Sequence, residues 1–312
     1  MPETIAITGA TGFVGRHVAQ RLRDEGHHVR LLVRRPEAAM WLEGFEVIQG
    51  ALEDADSLKW LCGGADVLVH CAGAIKARHS AGFERVNYQG TKAVAEAAGA
   101  AGVRRFIHLS SLAAREPGLS NYAASKRRSE MAVRESGLDE ITTILRPPAI
   151  YGPGDRATLD LFRQMSRPIA IAPGTVHSRV SLLFVEDLAA AIAALTSAGA
   201  ETNGVHEIAD GRPGGYRWAD MAAIAGQAQN RKIKCLMLPR SLVYLAGLIS
   251  EAGSALVGHA PMLTRGKARE LYHPDWVCHG NLLEDVLNWT PKVQFEQGFR
   301  ITLDWYRQQN WL

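Results

Sequence analysis

The stretch Ile5-Ala-Ile-Thr-Gly-Ala-Thr-Gly-Phe-Val-Gly15 decides how this chain is read. IAIT (5–8) is predicted to be a strand, and Gly12 to Glu25 a helix. Between them Gly9, Gly12 and Gly15 stand three apart. A tight strand-to-helix turn needs one residue without a Cβ. Close approach of a pyrophosphate to the backbone needs a second, and helix–strand packing a third. The helix start then offers unpaired N–H groups and the positive end of its dipole to phosphates. A glycine triplet alone says little, but a strand before it and a helix after it are the context that dinucleotide binding requires. The residues assigned to this turn are Gly9, Thr11, Gly12, Phe13, Val14 and Gly15.

The pattern continues outward. VRLLV (29–33), FEVIQ (45–49), ADVLVH (65–70), RFIHLS (105–110) and ITTILR (141–146) are predicted strands. Phe83–Ala101 and Asn121–Glu135 are predicted helices. The strands are almost continuously apolar, which suits a parallel sheet covered on both faces. Alternation of this kind gives right-handed βαβ units and an α/β, doubly wound parallel sheet. After residue 168 the pattern breaks at Pro168, Pro173 and Gly174. SLLF (181–184) is predicted as a strand, Glu186–Ser197 as a helix and VHEIA (205–209) as a further strand, with GRPGG (211–215) a loop. Residues 1–167, joined by 186–210, are therefore assigned to a nucleotide-binding domain. Residues 168–185 and 211–312 are assigned to a smaller, mostly helical substrate-binding region.

Composition narrows the function. The 312 residues are 47% hydrophobic and 21% charged, with a formal net charge of +3. Disorder throughout is excluded, and the nearly balanced charge gives no reason to expect nucleic acid or anionic lipid as the main partner. Cys62, Cys71, Cys235 and Cys278 form no C-x-x-C pair and fit a reducing compartment. The N-terminus reads as no signal peptide, and the apolar run from Leu242 falls short of the roughly 20 residues of a membrane span. A cytoplasmic protein without an integral membrane segment is expected. The stretch 242–257 reads as substrate-domain core more readily than as a helix on a membrane surface, and an apolar substrate would suit either reading.

The second strand ends in Leu32-Val33-Arg34-Arg35-Pro36. An acidic residue at such a place binds a ribose 2′-hydroxyl and selects NAD. None is present. Arg34 and Arg35 instead offer guanidinium groups to a 2′-phosphate, so NADP(H) is expected over NAD(H).

Tyr122 and Lys126 lie four apart in NYAASK (121–126), on one face of a predicted helix. A nearby ammonium favours tyrosinate, which would make Tyr122 a proton donor and acceptor near neutral pH. Tyr88 and Lys92 repeat the spacing. Tyr122 is preferred because it follows Ser110-Ser111 at a strand end, where an open α/β sheet faces its ligand crevice.

Together TGATGFVG (8–15), VHCAG (69–73), NYQGT (87–91), LSS (109–111), YAASK (122–126), RPPAIYGPGD (146–155) and FVEDLA (184–189) resemble the extended branch of the short-chain dehydrogenase/reductase superfamily, which has a Rossmann fold. The likeness covers about residues 1–210. It implies that Tyr122 is the general acid/base, that Lys126 holds the nicotinamide ribose and lowers the Tyr122 pKa, and that Ser111, rather than Ser110, binds the reacting oxygen. It implies that Asn87 supports a proton-relay water. Leu52, Ala72, Gly73, Pro147 and Ile150 would line the cofactor. A homodimer through Phe83–Ala101 and Asn121–Glu135 would fit the family.

Three departures bear on substrate. Gly50-Ala51-Leu52 lacks the acid the family often places after the third strand. Ala149 stands where nucleotide-sugar enzymes of this branch usually have Asn, and Leu112 where their dehydratases have an acid. The pocket becomes more apolar, which points toward the reductase and 3β-hydroxysteroid-dehydrogenase-like side. The expected activity is interconversion of a carbonyl and a secondary alcohol on a mainly apolar small molecule. A nucleotide-sugar epimerase or dehydratase, and a non-catalytic NADPH-binding scaffold or sensor, stay open as alternatives. His273, Asp275, Cys278 and His279 fit no standard zinc spacing, so no metal is expected. Cys71 is expected to be a buried small residue rather than a reactive thiol, and Arg127 and Arg128 to be solvated.

Overall fold

Ile5, Ala6 and Ile7 are wholly buried, so the first strand runs through the middle of a sheet covered on both faces. In the computed structural model of the chain, the described residues are 1–38, 40–257 and 264–312. The strands are β1 (Thr4–Thr8), β2 (His28–Val33), β3 (Glu46–Gln49), β4 (Val67–His70), β5 (Arg105–Leu109), β6 (Thr142–Arg146), β7 (Ala149–Tyr151), β8 (Ile169–Ala172), β9 (Arg179–Val180), β10 (Leu182–Phe184), β11 (Gly204–Glu207), β12 (Tyr216–Arg217), β13 (Lys234–Met237) and β14 (Asp275–Trp276). The helices are α1 (Phe13–Asp24), α2 (Ala55–Cys62), α3 (Ser80–Phe83), α4 (Gly90–Ala101), α5 (Asn121–Glu135), α6 (Leu159–Met165), α7 (Val185–Thr196), α8 (Trp218–Ala228), α9 (Arg240–Val257), α10 (Arg265–Leu271) and α11 (Phe295–Gln308).

Seven strands form one sheet in the order β11-β6-β5-β4-β1-β2-β3, every neighbouring pair parallel. Strand order reverses between β1 and β4, which makes their C-terminal ends the ligand crevice of a Rossmann sheet. One apolar cluster packs α1 and α7 on one face of the sheet, and a second packs α2 and α4 on the other. A third, aromatic cluster joins β7, α6, β10, α8 and α11 through Tyr151, Phe162, Phe295, Phe299 and Tyr306. Asp187 ties the tail to the sheet: its buried carboxylate accepts the N–H groups of Lys292 and Val293 at 3.1 and 2.8 Å.

Three local expectations change. SLLF (181–184) is a strand less its first residue: β10 begins at Leu182, and Ser181, whose hydroxyl accepts from the Cys278 N–H at 3.1 Å, separates it from β9. The helix expected over Phe83–Ala101 begins at Ser80 and widens to a π-turn over Glu84–Gln89, an extra-residue bulge of the kind found at functional sites. Over residues 240–250 the apolar face of α9 is not core: Leu242, Leu245, Leu248 and Ile249 are exposed, and the side chains of 251–257 lie outside the described residues.

Candidate active site

The glycine turn has the geometry its sequence implies. Gly9 sits at φ +75°, and a Cβ there would lie 2.5 Å from the Ala72 nitrogen. A Cβ on Gly15 would lie 2.3 Å from the Gly9 carbonyl oxygen. These two positions hold the turn tight between β1, β4 and α1, and no other side chain fits. No side chain caps the N-terminus of α1, and its first turn holds no acid. Thr11 and Gly12 are exposed there, Phe13 and Val14 partly so. The free N–H groups therefore face outward without a competing anion, which fits a pyrophosphate.

Beneath the turn runs a buried hydrogen-bond chain that the sequence reading did not assign. Thr91 donates its hydroxyl to the Asn87 carbonyl at 2.7 Å and so accepts from His70 Nε2 at 2.9 Å. His70 Nδ1 then accepts from the Thr8 hydroxyl at 2.6 Å. Burial pushes the His70 pKa down to about 3, so the ring is neutral, as this chain of donors requires. His108 stacks on it with centroids 5.3 Å apart and donates to Ser129 Oγ at 2.9 Å. The chain fixes the ends of β1 and β4 relative to α4. Two histidines inside apolar strands were the signal for it.

Asn87 lies in the π-turn, buried. Its Oδ1 accepts from the Ala74 N–H at 2.7 Å, and its Nδ2 donates to the Ala74 carbonyl at 3.0 Å and to Ser125 Oγ at 2.8 Å. Ser125 donates in turn to the Tyr122 carbonyl at 2.7 Å. The side chain thus clamps the Ala72-Gly73-Ala74 loop to α5. Leu52 packs against Gly90, where a Cβ would come within 2.8 Å of its side chain. Pro147 is buried, and its carbonyl accepts from the Leu112 N–H at 2.8 Å.

Ser111, Tyr122 and Ile150 line one cavity of about 1300 Å³. Ala149 and Leu112 line it too, at the two places where the nucleotide-sugar pattern is missing. Leu161, Met165, Ile171 and Trp218 extend its apolar wall. Tyr88 is elsewhere: it donates to Glu135 at 3.1 Å and lies under the Arg128 guanidinium, while Lys92 faces Glu96. Ser110 is turned inward to donate to Glu130 at 2.6 Å. Glu130 is buried and takes a two-pronged pair from Arg146, at 2.8 and 2.6 Å. Those bonds outweigh burial and hold its carboxyl below its ordinary range.

Lys126 is buried and donates to the Leu109 carbonyl at 2.8 Å. Burial lowers its pKa to about 8 against the pull of Glu130. The expected lowering of the Tyr122 pKa is corrected here. Burial raises it, the hydrogen bond with Ser111 works the other way, and the buried Glu270 carboxylate raises it further. The phenol is therefore held protonated. Glu270, on α10, is a cavity residue that local sequence could not reveal; its carboxylate accepts from Ser120, the N-cap of α5, and from Lys267 at 2.9 Å.

Arg127 and Arg128 are not simply solvated; they pair with Glu130 and Glu84. Burial pushes the Cys71 thiol up to about 12, far from a reactive thiolate. Among the described residues no cluster of three or more His, Cys, Asp or Glu is placed to hold a metal. Asp275 pairs with His279 at 3.2 Å, while His273 packs on Trp276. Among the described residues no helix is long and apolar enough to cross a membrane.

The profile of the NAD(P)H-binding family matches residues 9–166. A protein named ceramide reductase from Caulobacter vibrioides (strain NA1000 / CB15N) is 44% identical over 311 residues, covering 99% of this chain and 96% of its own. A 4-hydroxy-2-methyl-3-oxo-4-farnesyl-3,4-dihydroquinoline-1-oxide ketoreductase from Stigmatella aurantiaca is 34% identical over 173 residues, 49% of this chain and 52% of its own. The UDP-glucose 4-epimerase of Thermotoga maritima matches in structure with a TM-score of 0.74 at 18% identity, over 98% of this chain and 99% of that one, a likeness of fold alone. The chain belongs to the extended short-chain dehydrogenase/reductase family. It is an NAD(P)-dependent reductase that acts on a carbonyl group.

Proposed function

We propose that this protein reduces a ketone to a secondary alcohol on an amide-linked lipid of the ceramide class, using NADPH. The observation that carries the reading is that Ser111 and Tyr122 open into a cavity of about 1300 Å³ with one apolar wall, formed by Leu161, Met165, Ile171 and Trp218. The full-length likeness to the Caulobacter ceramide reductase supports the substrate class, because it includes the tail that walls this cavity.

When bound, the nicotinamide cofactor supplies the hydride. The glycine turn would hold its pyrophosphate, and Lys126 and the Ala72-Gly73-Ala74 loop its nicotinamide ribose. Ser111 hydrogen-bonds the ketone oxygen and orients it. Tyr122 donates its phenolic proton as negative charge builds on that oxygen. A raised phenol pKa favours this direction, since reduction needs the protonated form. Arg34 and Arg35 support NADPH over NADH: both are exposed beyond β2, and neither makes an ion pair among the described residues.

The test is a reaction with NADPH deuterated at the transferable position. A ketone made by oxidising the secondary alcohol of a ceramide is supplied in detergent. Reduction places one deuterium on the carbinol carbon. A protein that does not reduce the ketone would leave it unlabelled with no net loss of cofactor.

A further inference from the structure

Over residues 240–250, helix α9 packs inward along one line. Val243 and Gly247 are buried, and a Cβ on Gly247 would lie 3.2 Å from the Thr264 backbone. Its outer face carries Leu242, Leu245, Leu248 and Ile249, each 40–65% exposed. The β8–β13 ribbon repeats the arrangement. Ala170 and Ala172 turn inward, while Ile169 and Ile171 turn outward, and Leu236 stands exposed opposite Ile171. Scattered exposed apolar residues are ordinary, but seven over β8, β13 and α9 make a surface that water disfavours.

Two further features say what covers it. The surface is continuous with the active-site cavity, because Ile171 and Tyr244 belong to both, and exposed Ile75 joins them at the cavity wall. Its surroundings are cationic. From Arg231 to the end of α9 at Val257 there are four basic residues and one acid, Glu251. Lys234 is paired in register with Ile169, and Arg240 begins α9; both are exposed. Lys76, Arg78 and Arg269 add exposed positive charge at the cavity wall, against exposed Asp160, which pairs with Arg163.

We propose that the outer faces of α9 and the β8–β13 ribbon dock on a bilayer containing anionic phospholipid. The protein then lies on the membrane rather than through it, as an apolar helix face ringed by Lys and Arg does. The cavity mouth would face the lipid, so an apolar substrate would enter without crossing water. This purpose rests on the lipid-ketone reading above, but its test does not.

The experiment is flotation of the full-length protein, without cofactor or substrate, with two sets of vesicles. One is phosphatidylcholine alone, the other phosphatidylcholine with an equal part of phosphatidylglycerol. The protein is expected to float with the anionic vesicles and to stay mostly unbound with the neutral ones. Leu245→Ser with Ile249→Ser should abolish flotation while NADPH binding, thermal unfolding and turnover of a detergent-dispersed ketone stay at wild-type values. Lys234→Glu with Arg240→Glu, which alters only exposed charge, should remove the preference for anionic vesicles. The proposal is overturned if the wild-type protein floats with neither vesicle or if the serine variant floats as well as wild type. It is also overturned if the serine variant turns a dimer into a monomer, which would assign the face to a second copy of the chain. Absence of flotation with intact turnover in detergent would refute the docking alone. Flotation without turnover would refute the substrate reading alone.

Discussion

Ser110 donates its hydroxyl to the buried Glu130 carboxylate at 2.6 Å, and so its neighbour Ser111 is the one left at the cavity wall. Two adjacent serines are thus divided between structure and chemistry. Replacing each tests the division. Ser111→Ala should lower kcat by roughly 10²–10³, the loss expected for one donor to a developing oxyanion. Ser110→Ala should leave kcat within a few-fold and lower unfolding stability by about 1–3 kcal/mol, because Glu130 loses a buried partner. Steady-state kinetics and urea unfolding of the two variants read both effects. Equal losses of kcat would contradict the assignment.

Lys126 links catalysis to pH. Its pKa falls from 10.5 in an unfolded chain to about 8 in the fold, because burial disfavours the ammonium. Between those values the unfolded chain binds more protons, so stability should rise with pH relative to a Lys126→Met variant. Below pH 8 the buried ammonium costs about 3 kcal/mol, from the size of the shift. Activity should move the opposite way. The kcat/KM for ketone reduction should fall as pH passes about 8 and Lys126 loses its charge. Tyr122 lies above its ordinary range and does not titrate there. A kcat/KM that is level beyond pH 9 would exclude Lys126 as the controlling group.

Arg34 and Arg35 set the choice of cofactor in this account. Replacing both with Ala should weaken NADPH binding at least tenfold, about 1.4 kcal/mol, and leave NADH binding within twofold. Fluorescence titration of the cofactor-free protein with each nucleotide measures this. Equal weakening of both would assign the arginines to the turn's stability instead of to the 2′-phosphate.

What the sequence made legible was local. The β1 turn declares itself through Gly9, Gly12 and Gly15, and the apolar runs of β2 to β6 appear within a residue or two of their observed bounds. Tyr122 could be chosen over Tyr88 because it follows a strand end. What stayed hidden depended on distant partners. Glu130 sits in a charged run, KRRSE, that looks solvated; its burial follows from Arg146, sixteen residues away. Glu270 reaches Ser120 across 150 residues, so its effect on Tyr122 appears only in the fold. The direction of the Tyr122 shift was misread for the same reason: burial and Glu270 outweigh the one favourable bond from Ser111. In α9 the pattern correctly marked an apolar helix, but apolarity does not say whether protein or another phase covers it.

Tyr122→Phe removes the phenolic proton and little else. Initial rates of NADPH oxidation would be measured with the detergent-dispersed ketone of a ceramide, beside NADPH affinity for each protein. The wild-type protein should turn the ketone over, and the variant should lose roughly 10²–10⁴ in kcat with unchanged NADPH affinity. A variant that turns over at the wild-type rate would contradict the role given to Tyr122.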